Sequence, residues 1–109
     1  MNIQHEIINA TGTKFYVKQN EKEVARAYIY ILTNDLHEKP FGFIEDVFVD
    51  ETLRGQGIGS RLVERIINEA RRRNCYKLIC TSRHEKPKVH KLYEALGFKD
   101  HGKEFRIDF

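Results

Sequence analysis

The stretch IEDVFVDETLRGQGIGSRLVERIINEA, Ile44 to Ala70, decides the fold. It opens as a β-branched and aromatic run, passes through glycines at alternate positions (Gly55, Gly57, Gly59), and then changes period. Leu62, Val63, Ile66, Ile67 and Ala70 form one apolar stripe, which predicts a helix of roughly four turns over Ser60 to Asn74. A strand, a glycine-rich turn and a helix N-terminus in that order make an anion site, because unpaired backbone N–H groups converge there with the positive end of the helix dipole.

Upstream, Thr13 to Gln19 and Glu23 to Leu32 are rich in β-branched and aromatic residues. Asn20-Glu21-Lys22 between them suits a tight turn, so the two segments read as an antiparallel hairpin. Gln4 to Ile8 is a candidate short strand, ended by Gly12, and the polar segment Asn34 to Pro40 reads as a loop. Phe41 to Val49 then continues the meander as a third strand. Downstream, Tyr76 to Thr81 is short and apolar, as a buried strand after a crossover helix should be. Pro87 suits a first helical turn, Val89, Leu92, Tyr93 and Leu96 recur at helical spacing, and Gly97 suits the position just past the end. These predict a second helix over Pro87 to Leu96. Lys103 to Phe109 alternates charged and apolar residues and predicts a closing strand. The order is that of an α+β domain with a mixed sheet, in which only the crossover through the long helix demands parallel neighbours.

With 109 residues the chain is read as a single domain, 1–109, with room for one modest core. Its 40% hydrophobic and 32% charged residues are those of a globular protein, and no apolar run approaches the roughly 20 residues needed to span a bilayer. Met1 to Glu6 has no secretory character, so a cytoplasmic location is the expectation. Cys75 and Cys80, read as pointing to opposite faces of one strand, are expected to be reduced core thiols, and no Cys/His spacing suits a metal. The net charge of +3 is mild, and its densest cluster, Arg71-Arg72-Arg73, falls at a helix end where cations are favoured in any case. Nucleic acid and membrane are therefore not expected partners. His84 and His90 read as surface residues.

Two phosphate-binding patterns fail at the glycine turn. The P-loop needs a Gly-Lys pair that is absent here. The dinucleotide fingerprint fits Gly55 and Gly57 but meets Ser60 at its third glycine, and from Gly57 and Gly59 it meets Leu62. What remains is Arg-x-x-Gly-x-Gly on Arg54, Gly57 and Gly59, which closely resembles the coenzyme A signature of the GNAT N-acyltransferases. A second block, HKLYEALGF from His90 to Phe98, is similar to that family's later motif, a helix carrying a tyrosine and ending in Gly-Phe. The resemblance covers about Phe41 to Phe109.

The resemblance implies a minimal GNAT fold: a mixed, mostly antiparallel sheet of five to seven strands with two main helices, acetyl-CoA as cosubstrate and no metal. The pyrophosphate is implied to lie on the amides of Gln56, Gly57, Ile58, Gly59 and Ser60, with Arg54 and Gly55 in the same loop. The pantetheine arm is implied to run beside Val47, Phe48 and Val49. Lys86 stands where many relatives have an asparagine beside the cofactor arm, and Tyr93 matches the family's general acid, which also faces the cofactor.

Acyl transfer to an amine also needs a base, because an alkyl ammonium is mostly protonated at neutral pH. Glu45 matches the position of a glutamate base in some members and is the first candidate. Asp46 is the second, and structural pairing of both is the third reading. On a regular strand Glu45 shares a face with Phe43, Val47 and Val49, and Asp46 with Ile44 and Phe48. Typical members place two helices between their first and second strands, and Asn9 to Thr13 is too short for either. The acceptor side is then expected to be open, completed by a partner subunit as in a homodimer, or shaped for a large substrate. The run IEDVFV is similar to that of glucosamine-phosphate and diamine acetyltransferases, which implies a small amine or amino sugar as acceptor. A protein N-terminus or lysine is the alternative within enzymes, and a non-catalytic coenzyme A binding module the alternative outside them.

Overall fold

A computed structural model describes all 109 residues. Strand β1 (Thr11–Gln19) and strand β2 (Lys22–Asn34) form the expected hairpin. Asn20 and Glu21 both take positive φ, 52° and 65°, the two-residue turn whose twist matches that of the flanking strands. Gly12, expected to end a strand, lies inside β1, because a Cβ there would stand 3.0 Å from the ring of Tyr30 on β2. Strand β3 (His37–Val49) starts four residues earlier than expected. The polar segment before it closes a second hairpin in which the Asn34 side chain accepts from the Leu36 amide at 2.8 Å. Pro40 is accommodated where the β2–β3 register is irregular, so its missing donor disrupts no ladder bond.

Helix α1 (Ile58–Arg72) lays Leu62, Val63, Ile66 and Ala70 on the sheet, as the stripe predicts. It returns the chain to strand β4 (Leu78–Ile79), which pairs parallel to β3 through Gly42 and Phe43. Helix α2 (Pro87–Ala95) follows. The sheet order is β1-β2-β3-β4. Its core face carries Ala25, Ala27, Ile29, Ile31 and Ile44, packed against α1.

The sheet has four strands, not five to seven. Residues 1–10 pair with nothing, and beyond Phe98 no backbone hydrogen bond returns the tail to β4. Alternation in 103–109 makes the segment able to pair, but it does not reach the free edge of β4. The strand expected over Tyr76 to Thr81 is short because β3 and β4 separate after Ile79, and Cys75 and Cys80, both free and half-buried, lie outside it.

Candidate active site

The site is built where β3 leaves β4. Past Phe43 the strand pairs with β2 only, so the other backbone edge of Ile44 to Val49 has no protein partner. At the same place β3 departs from regular geometry. Tyr28 faces Glu45 and Arg26 faces Phe48, so two residues, Asp46 and Val47, stand opposite Ala27. Asp46 takes φ +54°, the left-handed conformation an aspartate tolerates better than most residues.

This bulge corrects the faces read from simple alternation. Val47 and Val49 pack with the core beside Ile44, while Glu45 and Asp46 both share the outer face with Phe43 and Phe48. The two carboxylates then separate by partner. Asp46 receives Arg26 Nε at 2.8 Å, and Arg26 also lies over the Phe48 ring, 4.7 Å from its centroid. Glu45 is exposed and makes no ion pair, and it borders a cavity of about 270 Å³ lined also by Tyr30, Leu32 and Phe43.

Beyond the strand, Asp50 caps a single 3₁₀ turn (Glu51–Leu53) by accepting from the hydroxyl of Thr52 at 2.8 Å and its amide at 3.0 Å. Those bonds hold the Asp50 carboxyl below the usual carboxylate range. Arg54 Nε donates to the Val49 carbonyl at 3.0 Å and ties the loop to the strand end. Gly55 and Gly57 follow at φ +83° and +80°, each with open space where a Cβ would stand. Gly57 caps α1 with no side-chain hydrogen bond, and the first turn holds no acidic residue. The amides of Gln56, Gly57, Ile58, Gly59 and Ser60 therefore lack protein acceptors at the positive end of a fifteen-residue helix. Five free donors around unfilled glycine surfaces fit a pyrophosphate, and the parted strands fit an extended amide-bearing arm.

Tyr93 comes to the same place from α2. Gly97 takes φ +100° just past the helix, its amide donates to the Glu94 carbonyl at 3.0 Å, and the Phe98 amide donates to the Tyr93 carbonyl at 3.0 Å. That pattern is the Schellman helix end, and it lays the Phe98 ring edge-on against Tyr93 with centroids 5.4 Å apart. The Gly-Phe of the motif thus fixes the orientation of the tyrosine. Tyr93 is buried, and burial, with the nearby Cys80 and Glu45, pushes its phenol up to about 12. Cys80 is pushed up to about 11 by burial, partly offset by the Tyr93 hydroxyl.

Glu45, Tyr93 and the loop from Arg54 to Ser60 are thus brought to one end of β3. Lys86 caps α2 from the turn after Ser82, its carbonyl accepting from the Val89 amide at 3.1 Å and the His90 amide at 3.2 Å. The His90 ring lies 2.8 Å from the Arg83 carbonyl and braces that turn. Two neighbours were not foreseen: Cys80 beside Tyr93, and Arg26 as the ion-pair partner of Asp46. Both depend on packing between elements, which no local pattern encodes.

Residues 2–98 match the model of the acetyltransferase (GNAT) family. Over 67 residues the chain is 40% identical to a glucosamine 6-phosphate N-acetyltransferase of Trypanosoma brucei brucei, covering 62% of this chain and 44% of that protein. It spans less than half the length of that curated relative. Among solved structures, an acetyltransferase from Agrobacterium tumefaciens superposes with a TM-score of 0.82 at 35% identity, over 90% of this chain and 69% of that one. The glucosamine-6-phosphate N-acetyltransferase of Arabidopsis thaliana does so with a TM-score of 0.81 at 27% identity, over 90% and 67%. The glycine loop, the Schellman-capped tyrosine and the match over most of the chain lead to one conclusion: this chain belongs to the acetyltransferase (GNAT) family.

Proposed function

We propose that this chain transfers an acetyl group from acetyl-CoA to the primary amine of a small molecule, with an amino sugar as the favoured acceptor. The observation that carries the reading is the convergence of an unpaired carboxylate, Glu45, and a buried phenol, Tyr93, where β3 and β4 part. The relatives named for glucosamine 6-phosphate support the amino sugar.

The chemistry follows from the two side chains. Glu45 takes a proton from the acceptor ammonium, and the freed nitrogen attacks the thioester carbonyl. The new C–N bond forms as the C–S bond breaks, the nitrogen gives up its second proton to solvent to leave a neutral amide, and the electron pair leaves on sulfur. A phenol held at about 12 stays protonated at neutral pH and donates a hydrogen bond to that thiolate as its charge develops. The amides at the start of α1 hold the pyrophosphate and fix the distance from thioester to Glu45.

Calorimetry with acetyl-CoA, followed by thiol release against amines, amino sugars and peptides, tests the reading. Acetyl-CoA is expected to bind, and Glu45→Gln and Tyr93→Phe are each expected to lower kcat by roughly 10²–10⁴-fold with cofactor affinity kept. Binding without turnover, indifferent to both substitutions, would establish a coenzyme A binding module instead.

A further inference from the structure

The outer face of β3 carries a second feature, which rests on the acetyl-transfer reading and extends it to the acceptor. Phe41, Phe43 and Glu45 alternate along that face, with Leu32 and Tyr30 opposite Phe41 and Phe43 on β2. Together they make an apolar floor with one unpaired acid at its end. The Tyr30 ring is held in place on one side by Gly12, where a Cβ would stand 3.0 Å away, and by the parallel Tyr28 ring at 6.3 Å. At the opposite end of the floor stands Lys77. Its Nζ lies 5.0 Å from the Phe41 ring centroid and 5.3 Å from that of Tyr76, and it makes no ion pair. The His37 ring, tilted against Tyr76 with centroids 4.1 Å apart, lies beside it. Of the other cations on this face, Lys14 pairs with Glu23 and Arg26 with Asp46 and Glu23, while Lys18 lies over the Tyr16 ring on β1, two strands away from β3.

Glu45 and Lys77, neither in an ion pair, therefore stand at the two ends of this apolar floor. Phe41, beside Lys77, and Glu45 are four residues apart, or about 13 Å along an extended strand. We infer that Lys77 anchors an anionic group of the acceptor, so that the substrate is a primary amine bearing a phosphate or carboxylate at its far end. Its ammonium meets Glu45, its uncharged body crosses Phe43 and Leu32, and its anion reaches Lys77. Lys77 is then a residue that sets specificity and takes no part in the chemistry.

The test compares glucosamine 6-phosphate with glucosamine, and 6-aminohexanoate with hexylamine, at saturating acetyl-CoA. The phosphate pair and the carboxylate pair distinguish which anion is read. The anionic member of at least one pair is expected to have kcat/KM roughly 10- to 100-fold higher, as one charge-assisted hydrogen bond provides. Lys77→Ala should abolish that ratio through KM, leave kcat and the uncharged amines unchanged, and be rescued by Lys77→Arg. Calorimetry of the same acceptors with protein saturated by coenzyme A reads the same preference without turnover. Turnover with no preference for the anion, or a preference that survives Lys77→Ala, overturns the inference while leaving acetyl transfer intact. Failure to bind acetyl-CoA, or to turn over any amine, overturns both.

Discussion

Single glycines and single titratable groups make the sharpest separations between fold and function. Gly57 needs its positive φ, so Gly57→Ala should cost about 1–2 kcal/mol in urea unfolding as well as weaken cofactor binding. Gly59 has ordinary helical geometry, and a Cβ there would meet Val49 Cγ2 at a comfortable 3.7 Å. Gly59→Ala should therefore leave the melting temperature equal or higher, since alanine is the better helix former by up to about 1 kcal/mol. A methyl group would still hold a phosphate off the backbone, so acetyl-CoA affinity should fall about tenfold, the worth of one charge-assisted hydrogen bond. Loss of stability without loss of affinity would mean that this glycine serves the helix alone. The pH dependence of stability has a defined sign. Tyr93 rises from 10.0 to about 12 and Cys80 from 9.0 to about 11, both chiefly through burial. Each group holds its proton more tightly folded than unfolded, so its contribution is complete below pH 9 and is lost as pH rises from there to about 12. Melting temperatures between pH 8 and 11 should decline in the wild type and decline less in Tyr93→Phe/Cys80→Ala.

At the scale of elements, the bulge in β3 turns Asp46 out beside Glu45, returns Val47 and Val49 to the core, and is held by one distant partner. Asp46 sits at φ +54° and is closed by Arg26, twenty residues earlier on β2. A β-branched side chain tolerates that conformation poorly, so Asp46→Val should destabilise by about 1–3 kcal/mol. It should also weaken acetyl-CoA binding, because simple alternation would turn Val47 and Val49 out of the core and displace the strand end to which Arg54 ties the glycine loop. Asp46→Asn keeps the left-handed preference and should retain most of that affinity, and if both variants bind acetyl-CoA fully the bulge does not position the glycine loop. The contrast between this bulge and the helices explains what was legible in the sequence. The α1 stripe, the Asn20-Glu21 turn and the Gly97 cap are local signals, and each appeared within a residue or two of its expected place. The glycine loop and Tyr93 were legible for the same reason, since each motif carries its own geometry. The bulge was not, because it depends on Arg26 across the sheet, and neither was the proximity of Cys80 to Tyr93, which depends on how α2 packs against the segment after β4. Pro40 misled for a related reason, since a proline ends a ladder only where its N–H is required.

The whole molecule exposes more surface than its mass warrants. Its accessible area is 9241 Å², whereas a compact protein of 12.9 kDa has about 6,300 Å². The radius of gyration is 15.9 Å against about 13 Å for a compact chain of this length. Part of the excess is the outer sheet face with Tyr16 and Tyr30, and part lies in the end segments, where Ile3, Ile7, Phe105, Ile107 and Phe109 are each at least three-quarters exposed. The excess exceeds the roughly 800 Å² that each partner contributes to an interface of standard size. Pairing with a second copy would cover this surface. The apolar side chains at Phe105, Ile107 and Phe109 fall on one side of an extended segment, and β4 pairs only with β3 and leaves its other edge free. Light scattering at micromolar concentration should then give twice the chain mass of 12.9 kDa. Phe105→Asp/Ile107→Asp should return the particle to a single chain without unfolding α1 or β1 to β3, since neither residue packs in the core. A wild-type particle of one chain mass, with unchanged circular dichroism in the double variant, would show that no second copy covers this surface.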